Sequence, residues 1–487
     1  MRIFRIANYI GFILILFSAL LILPIFFGIY YGEVLAIEAF AISAIITAIL
    51  GIIIIKITPP FKEIHRNEGL VIVAITWALM AFLGAIPYLF FNIHFVDAIF
   101  ESMSGITTTG ATILKDFTLY PKAMFFWRSF TQWIGGMGII VLFIAILPKF
   151  AIAGRQLFFS EVPGPIEDDL SFRIKQTAVK LWLLYIILTV VEIILLTLAG
   201  MPFFDSICNS LSTLAAGGFS PHPESIMGYH SNTIEWIVIA FMFLAGTNFS
   251  LQYKIFTTQR LSILKNSSEF LIYTLVFIIA TILITFVLVA SSNQEIFNSV
   301  RIAAFQAISI LTTTGFATTD FNYWTDAGKI ILVALMFIGG CASSSAGGIK
   351  VVRIIILFKA FFNEVIRLLH PKAILSLRLD NQIVNKEILR QIVVFILIYL
   401  VLLIISSLLV GFIESNMIVG FTASAATIGN IGPGFGPIGP MGSYADLSTL
   451  SKNILIFDMW TGRLELIAVI IFLSPYTWKA TSLEEKN

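Results

Sequence analysis

Charged residues are scarce in this sequence. They make up 12% of its 487 residues, whereas soluble proteins carry about 25%. Hydrophobic residues account for 58%, so the chain has too little charge to solvate several globular domains, and we predict a polytopic membrane protein. The net charge of +2 is uninformative about partners, but the apolar composition excludes a basic nucleic-acid patch as the main feature of the chain, and no nucleic-acid partner is expected.

Cysteine and histidine are also rare, with two and five residues. Cys208 and Cys341 have no metal-ligand spacing and are expected to be small buried residues, which excludes a secreted disulfide scaffold. The histidines form no cluster with acidic or nucleophilic residues, and no nucleotide-binding motif is present, so no enzyme is predicted. Glu192 and Glu235 are isolated intramembrane carboxylates, expected to be contacts within the helix bundle, with a proton relay as the alternative.

Long apolar runs dominate the chain, and runs of about 20 residues predict membrane-spanning helices. Ten spans are predicted, at residues 9–30, 34–57, 70–90, 124–148, 179–200, 234–256, 270–290, 329–357, 391–411 and 453–473. An even number of spans puts both termini on one side. The cytoplasmic side is favoured, because it places 23 of the 30 lysine and arginine residues in cytoplasmic segments.

Four parts of the chain follow one order: a span, a shorter half-apolar helix, a glycine-containing turn and a returning span. The glycines taken as equivalent are Gly110, Gly218, Gly315 and Gly429. Their common direction predicts parallel repeats around an axis normal to the membrane. Asp97 and Asp205 begin the first two short helices and are predicted to cap their N termini.

The predicted fold is an all-α polytopic membrane protein. It has ten transmembrane helices and four re-entrant pore helices, in four parallel repeats around one central pore. A short helix of about 12 residues is about 18 Å long and reaches partway into the membrane. The predicted segments are an extra N-terminal helix pair (1–57), pore repeat 1 (58–148), pore repeat 2 (149–257), pore repeat 3 with an intramembrane gating loop (258–358), and pore repeat 4 with the C-terminal tail (359–487).

Backbone carbonyls of the four turns are predicted to form a filter for a dehydrated cation, because non-helical backbone at membrane depth must be buried or line water. The C-terminal ends of the short helices would add their negative dipole ends. Helix contacts through small residues are the alternative for any single turn. The predicted filter residues are Thr108, Thr109, Gly110, Ala111, Ala216, Gly217, Gly218, Phe219, Thr313, Thr314, Gly315, Phe316, Thr427, Ile428, Gly429 and Asn430.

The turns read T-T-T-G-A-T, A-A-G-G-F-S, T-T-T-G-F-A and A-T-I-G-N-I-G-P-G. They resemble the filter loops of the Trk/Ktr/HKT cation transporter superfamily, and the two leading spans are similar to its TrkH-type subunit. In this family, a glycine in all four loops accompanies potassium selectivity. The resemblance therefore implies potassium uptake across the bacterial inner membrane, with K⁺ bound in a channel-like pore; a proton- or sodium-coupled potassium symporter is the alternative. Ala215 and Ala216 depart from the hydroxyl residues of the other turns.

Span 329–357 is interrupted by small residues, and glycine in a helix interior costs about 1 kcal/mol relative to alanine. Residues 339–348 are therefore predicted to form a gating loop below the filter, as the family resemblance also implies; a close helix crossing is the alternative. Arg463 is expected to face the bundle interior, with the loop carbonyls, Asp458 or Glu465 as its partner. The predicted gate residues are Gly339, Gly340, Ser343, Ser344, Ser345, Gly347, Gly348, Lys350 and Arg463.

The resemblance also implies two protein partners. One is a second copy of the chain in a homodimer, and the other is a cytoplasmic nucleotide-binding ring protein of the TrkA type. The basic stretch 358–390 is predicted to be either a docking surface or a charged membrane anchor in contact with lipid. Potassium is the only ligand expected, and no organic cofactor is predicted.

Overall fold

The computed structural model describes residues 3–59, 66–145, 170–292, 295–373, 375–380 and 382–475. Helices dominate these ranges. In the first part of the chain they are α1 (Ile3–Leu20), α2 (Leu23–Tyr31), α3 (Val34–Ile57), α4 (Arg66–Gly84), α5 (Ile86–Leu89), α6 (Phe95–Ile106), α7 (Lys122–Ala145), α8 (Leu170–Leu198), α9 (Phe203–Ala215), α10 (Asn232–Gly246) and α11 (Phe249–Thr258). They continue with α12 (Ser262–Lys265), α13 (Ser268–Ser292), α14 (Ile296–Leu311), α15 (Asp326–Met336), α16 (Val351–Leu369), α17 (Lys386–Ile413), α18 (Met417–Ile428), α19 (Thr449–Arg463) and α20 (Ile467–Leu473).

One short hairpin departs from the helical fold. Strands β1 (Arg378–Leu379) and β2 (Gln382–Ile383) pair in antiparallel register, Arg378 with Ile383 and Leu379 with Gln382. The prediction of an all-α chain is wrong at this point only, among the described residues. The predicted boundary at residues 148 and 149 and the end of the C-terminal tail lie outside the described residues.

Six stretches of the described residues are long and apolar enough to cross a membrane. They are Ile6–Tyr31, Val34–Ile57, Glu68–Leu89, Ala178–Leu198, Ser268–Ser291 and Lys386–Ile413. A seventh crossing results if the bent pair α10 and α11 is counted as one span. Large apolar side chains such as Phe286 on α13 and Phe412 on α17 are exposed. Such a surface is stable in a bilayer, because lipid tails are as apolar as the side chains.

Two predicted spans are wrong as continuous helices. Span 234–256 divides into α10 and α11, which are bent by 100°. Asn248 starts the second helix there, because its side chain accepts a hydrogen bond from the Ser250 amide at 2.9 Å and caps the new N terminus. Span 453–473 breaks after α19, where Glu465 and Leu466 adopt φ values of 54° and 59°. The predicted break in span 329–357 is confirmed, since α15 ends at Met336 and α16 begins at Val351.

Four groups of helices repeat along the chain, each with a long helix, a short helix and a returning helix. The groups are α4–α6–α7, α8–α9–α10, α13–α14–α15 and α17–α18–α19. Each short helix packs against the long helix of its own group, and α6 also packs against α19. Lys452 on α19 pairs with Asp97 on α6, with Nζ 2.5 Å from Oδ1. The first and last groups are therefore in contact.

The predicted capping roles of Asp97 and Asp205 are wrong. His94 and Pro202 occupy the N-cap positions of α6 and α9. Asp97 instead pairs with Lys452, and Asp205 accepts a hydrogen bond from the Tyr229 hydroxyl at 3.0 Å. Both carboxylates still lie in the first turn of their helices, where the positive end of the helix dipole favours them.

The contact between α17 and α18 provides a test of the packing. A Cβ added to Gly420 would lie 2.4 Å from Gly411 Cα, whereas a Cβ added to Gly411 would lie 3.8 Å from its nearest neighbours. We expect Gly420→Ala to lower the thermal unfolding temperature in detergent, because overpacking costs typically about 1–3 kcal/mol. Gly411→Ala is the matched control and should unfold like the parent. Equal unfolding temperatures for the two variants would contradict this packing.

Candidate functional site

The four turns that follow the short helices share one backbone conformation. We define turn 1 as residues 107–111, turn 2 as 215–219, turn 3 as 312–316 and turn 4 as 429–433. In each turn, an amide donates to the carbonyl five residues earlier: Thr109 to Ser104, Gly217 to Ser212, Thr314 to Ser309 and Ile431 to Ala426. Positive φ values recur at two positions of each turn, Thr108 and Gly110, Ala216 and Gly218, Thr313 and Gly315, and Asn430 and Gly432. The turns are therefore structural equivalents.

This equivalence corrects the register of turn 4. The glycine that matches Gly110 is Gly432, with φ 100°, and not Gly429, which has φ −74° and ends α18 in a helical conformation. Thr427 and Ile428 belong to the last turn of α18. The prediction of these three residues as counterparts of the other turns is wrong, because α18 extends three residues further than the local pattern indicated. Asn430 remains within turn 4.

The equivalent glycines form a closed cycle of contacts. A Cβ added to Gly110 would lie 2.2 Å from the Gly217 carbonyl oxygen, and one on Gly218 would lie 2.0 Å from that of Thr314. A Cβ on Gly315 would lie 2.1 Å from the Ile431 oxygen, and one on Gly432 would lie 2.6 Å from the Thr109 oxygen. Each turn thus touches the next, and the fourth touches the first. We call this cycle the ring.

Buried hydroxyl pairs hold turns 1 and 3. Thr107 donates to the Met103 carbonyl at 2.7 Å, and its hydroxyl lies 2.7 Å from that of Thr109. Thr312 makes the same bond to Ile308 at 2.7 Å and lies 2.8 Å from Thr314. These bonds tie each hydroxyl pair to the helix that precedes its turn.

Side-chain amides replace the hydroxyl pairs in turns 2 and 4. Gln132 on α7 donates to the Gly217 oxygen at 2.6 Å and accepts from the Phe219 amide at 3.1 Å. Turn 2 is thus supported although Ala215 and Ala216 lack hydroxyls, and Gly217 keeps a second lone pair for another ligand. Asn430 donates to Thr109 Oγ1 at 3.0 Å and so ties turn 4 to turn 1. The sequence carried no local signal for the role of Gln132.

A non-helical segment, residues 337–350 between α15 and α16, lies against the ring; we call it the inner loop. The Gly347 amide donates to Thr313 Oγ1 of turn 3 at 2.7 Å. A Cβ on Gly347 would lie 2.5 Å from the Gly429 oxygen of turn 4. These contacts involve residues that precede the ring glycines. The loop glycines Gly339 and Gly348 have φ values of 77° and 71°, which L side chains rarely adopt.

The inner loop is also bonded to the break between α10 and α11. The Cys341 amide donates to the Gly246 oxygen at 2.9 Å, and Ser345 Oγ donates to the Ala245 oxygen at 3.1 Å. In return, the Phe249 amide donates to the Ser343 oxygen at 3.2 Å. The predicted gate residues therefore lie together, at a junction that the sequence pattern did not reveal.

The structure confirms one of the three partners that were predicted for Arg463. Its side chain is 1% exposed, and Nη1 donates to the Ser345 oxygen of the inner loop at 2.9 Å. Nη2 donates to the Gly135 oxygen at 3.2 Å. The other two candidates have partners of their own: Asp458 accepts from Ser406 at 2.8 Å, and Glu465 pairs with Arg353. Lys350 Nζ donates within the loop, to the Ala346 oxygen at 2.9 Å.

A cavity opens on the opposite side of the ring from the inner loop. All four ring glycines line it, together with residues that follow them such as Ala111, Phe219 and Pro433. Arg128 is a charged residue on this lining, and Glu101 lies 2.7 Å from its Nε. Among the described residues, no three His, Cys, Asp or Glu side chains are grouped to hold a metal ion. The oxygens that lie next to the ring glycines are those of backbone carbonyls.

Comparisons with known proteins agree on one family. Residues 39–479 match the TrkH family, described as cation transport protein. The Trk system potassium uptake protein TrkH of Salmonella typhimurium is 36% identical over 484 residues, which cover 97% of this chain and 99% of that protein. The Trk system potassium uptake protein TrkG of Escherichia coli is 33% identical over 474 residues, or 96% of this chain and 97% of that protein.

A solved structure is similar over nearly the whole chain. It is the crystal structure of the potassium transporter TrkH from Vibrio parahaemolyticus, which superimposes with a TM-score of 0.90 at 32% sequence identity. The similarity covers 98% of this chain and 100% of that one. Both the helical architecture and the sequence therefore lead to the same family.

Maleimide labelling of the two cysteines tests whether the hydrogen bond to Thr313 holds the inner loop in place. Cys341 in the loop and Cys208 on α9 are both buried. Thr313→Val removes the acceptor of the Gly347 amide, and an unsatisfied buried donor costs about 1–3 kcal/mol. We therefore expect Cys341 to react with a maleimide about tenfold faster, since about 1.4 kcal/mol corresponds to one factor of ten in an opening equilibrium. Cys208 is the internal control, and unchanged labelling of both residues by mass spectrometry would contradict the contact.

Proposed function

We propose, from the premise that this chain belongs to the TrkH family of cation transport proteins, that it carries potassium ions across the bacterial inner membrane through a central pore. The relatives are transport proteins, and this chain is a transport protein and not an enzyme. Potassium is the ion in the names of these relatives. The pore is proposed to conduct like a channel, with the ring as its selectivity filter.

The closed ring of backbone carbonyls carries this proposal. The carbonyl oxygens of Gly217, Thr314, Ile431 and Thr109 each lie close to the glycine of the neighbouring turn. Oxygen ligands of this kind replace the hydration shell of a dehydrated cation without any charged side chain. The proposed filter comprises Thr108 to Ala111, Ala216 to Phe219, Thr313 to Phe316 and Asn430 to Pro433.

The helices around the ring support a pore of four repeats. Each short helix ends at its turn, so the negative end of its dipole lies next to the ring, where a cation is favoured. The proposed repeats are 58–148, 149–257, 258–358 and 359–487, after the helix pair 1–57. This arrangement is proposed to comprise ten spans and four re-entrant pore helices. Three of its four returning helices, α10, α15 and α19, are interrupted by a bend or a loop. Both termini are proposed to be cytoplasmic, because that placement satisfies the positive-inside rule.

The inner loop is the proposed gate. It contacts turns 3 and 4 on the side away from the cavity, and Arg463 donates to its Ser345 oxygen. The buried guanidinium adds a positive charge close to the ion path, where little water screens it. Gly339, Gly340, Gly347 and Gly348 permit a backbone that is neither helix nor strand and that can rearrange.

The partners are proposed to be a second copy of the chain and a cytoplasmic nucleotide-binding ring protein of the TrkA type. The relatives are named as components of a Trk system, which supports an assembly of more than one protein. Helix α16, which follows the inner loop, exposes Phe358, Phe361 and Phe362. A movement of this helix would reach the inner loop directly, because the loop ends where the helix begins at Val351.

Ion flux through the purified protein in liposomes tests the function. We expect K⁺ and Rb⁺ to enter far faster than Na⁺, because the carbonyl ring offers no charged ligand for a smaller, more strongly hydrated ion. Uptake should follow the K⁺ gradient alone and persist when a protonophore abolishes the proton gradient. Equal K⁺ and Na⁺ flux would refute the potassium pore, and flux that requires a proton or sodium gradient would establish the coupled symporter instead.

The ring glycines should control selectivity. The Cβ atom in Gly110→Ser would lie 2.2 Å from the Gly217 oxygen, and the one in Gly315→Ser would lie 2.1 Å from the Ile431 oxygen. We expect both variants to lower the K⁺/Na⁺ flux ratio by roughly tenfold or more, because that oxygen must move. Gly200→Ser is the matched control, since Gly200 has φ 97° but no atom within 4 Å of an added Cβ. If all three variants lowered the K⁺/Na⁺ flux ratio equally, the positive φ of the substituted residue would be the cause. That outcome would refute the ring as the filter.

The inner loop should control throughput without changing selectivity. Deletion within residues 343–346 and Arg463→Ala each remove contacts that hold the loop, so Rb⁺ flux should rise while the K⁺/Na⁺ ratio stays at the parental value. Arg367→Ala removes a guanidinium from an exposed pair on α16, with Nη1 2.5 Å from Glu364 Oε1, and serves as the control. Well-folded loop variants with flux at or below that of the parent would show that the loop is not the gate.

A further inference from the structure

One ion pair is buried at the cavity next to the ring. Arg128 on α7 is 1% exposed and Glu101 on α6 is fully buried. Arg128 Nε lies 2.7 Å from Glu101 Oε1. Arg128 also lines the cavity that all four ring glycines share. A guanidinium beside a path for cations requires a compensating charge, and Glu101 provides it.

The pair holds the segment that leaves turn 1. Glu101 Oε2 accepts from the Ile113 amide at 2.9 Å, and Oε1 accepts from the Thr112 hydroxyl at 3.0 Å. Arg128 Nη2 donates to the same hydroxyl at 3.0 Å. Thr112 therefore uses its hydroxyl as donor and acceptor at once, and its position two residues after Gly110 is determined by both charged groups.

Arg128 also reaches turn 2. Its guanidinium lies 4.0 Å from the centre of the Phe219 ring, and Nη1 donates to the Ser220 oxygen at 3.4 Å. Phe219 directly follows the ring glycine Gly218. One rigid, planar guanidinium thus joins the outgoing segments of two adjacent turns, which a lysine, with a single ammonium, cannot do in the same geometry.

The arrangement occurs once in the ring. The residues nine positions before the ring glycines of turns 2, 3 and 4 are Asn209, Gln306 and Ala423, which carry no charge. Turn 2 is held on its other side by Gln132, and turn 4 by Asn430. The charged brace is therefore specific to the junction of turns 1 and 2.

We propose that Arg128 and Glu101 form a positioning pair for ion selection, which sets the spacing of turns 1 and 2 and keeps the cavity beside the ring electrically balanced. The inference rests on the proposed potassium pore. The two roles separate by chemistry. The charge of the pair governs how readily a cation approaches the ring, and the fork of hydrogen bonds governs the geometry that discriminates K⁺ from Na⁺.

Three variants in liposomes separate these roles. Glu101→Gln leaves Arg128 unbalanced, so K⁺ flux should fall roughly three- to tenfold at low ionic strength and recover partly at high ionic strength, where a charge is screened. Glu101→Gln combined with Arg128→Gln removes both charges, so flux at low ionic strength should return towards the parent. Arg128→Lys keeps the charge but loses the fork, so flux should persist while the K⁺/Na⁺ ratio falls.

A second ion pair supplies the control. Arg301 Nε lies 2.9 Å from Glu235 Oε2, and the cavity beside Arg301 is lined by residues of α10 and α14 and of the segment before α14, with none from the ring. Glu235→Gln combined with Arg301→Gln should leave the K⁺/Na⁺ ratio and the salt dependence at the parental values. Thermal unfolding of every variant identifies any that is not folded, and Arg128→Lys retains the test if Glu101→Gln does not fold.

The outcomes separate this inference from the function on which it rests. A parent without K⁺ preference refutes the pore itself. A K⁺-selective parent, with Glu101→Gln and Arg128→Lys variants that keep both its flux and its ion ratio, overturns the positioning pair. Loss of flux that is equal at low and high ionic strength, and that the double variant does not restore, overturns the electrostatic role.

Discussion

The close approach of four glycines to four carbonyls is the constraint on which this structure depends. Every ring glycine lies where an added Cβ would come within 2.6 Å of the next turn's oxygen, so the turns can close only with hydrogen at these positions. Four short helices must then converge on one place inside an apolar bundle. Their polar ends are buried there, and buried backbone groups need hydrogen-bond partners.

The partners differ between turns although the backbone does not. Threonine pairs hold turns 1 and 3, whereas Gln132 and Asn430 hold turns 2 and 4. Supports of the same chemical type thus alternate around the ring. Asn430 reaches across to Thr109, so turn 4 is held by its neighbour as well as by its own helix. The backbone geometry, and not one particular side chain, is what the four repeats have in common.

The same need for partners explains the irregular backbone next to the ring. Helix α10 ends at Gly246, and its last carbonyls would be unpaired if α11 did not turn away and the inner loop did not approach. Cys341 and Ser345 donate to those carbonyls, and Phe249 donates back to Ser343. The break between α10 and α11 and the break between α15 and α16 therefore provide hydrogen-bond partners for each other. Thr313 joins this junction to turn 3 through Gly347, so the inner loop and the ring are mechanically connected.

Several features of the protein follow from local sequence. Long apolar runs predict the helices of a membrane protein, because the bilayer requires about 20 apolar residues per crossing. Small residues between Met336 and Val351 correctly predict a break, and three ring glycines are recognisable because a glycine-containing turn follows each short helix. The cost of an unpaired buried charge predicts that Arg463 has a partner in the bundle interior, whereas the structure decides that this partner is a carbonyl of the inner loop.

Other features were decided only by the tertiary structure. The register of turn 4 depends on the contact of Gly432 with Thr109, and the support of turn 2 depends on Gln132, a residue of the preceding repeat. The bend at Asn248 likewise involves a partner from the inner loop, and Glu101 pairs with Arg128 of another helix. Periodicity and glycine content report what a residue does to its own backbone. They carry no information about which distant carbonyl or charge it meets, because that is determined by how the four repeats close on one another.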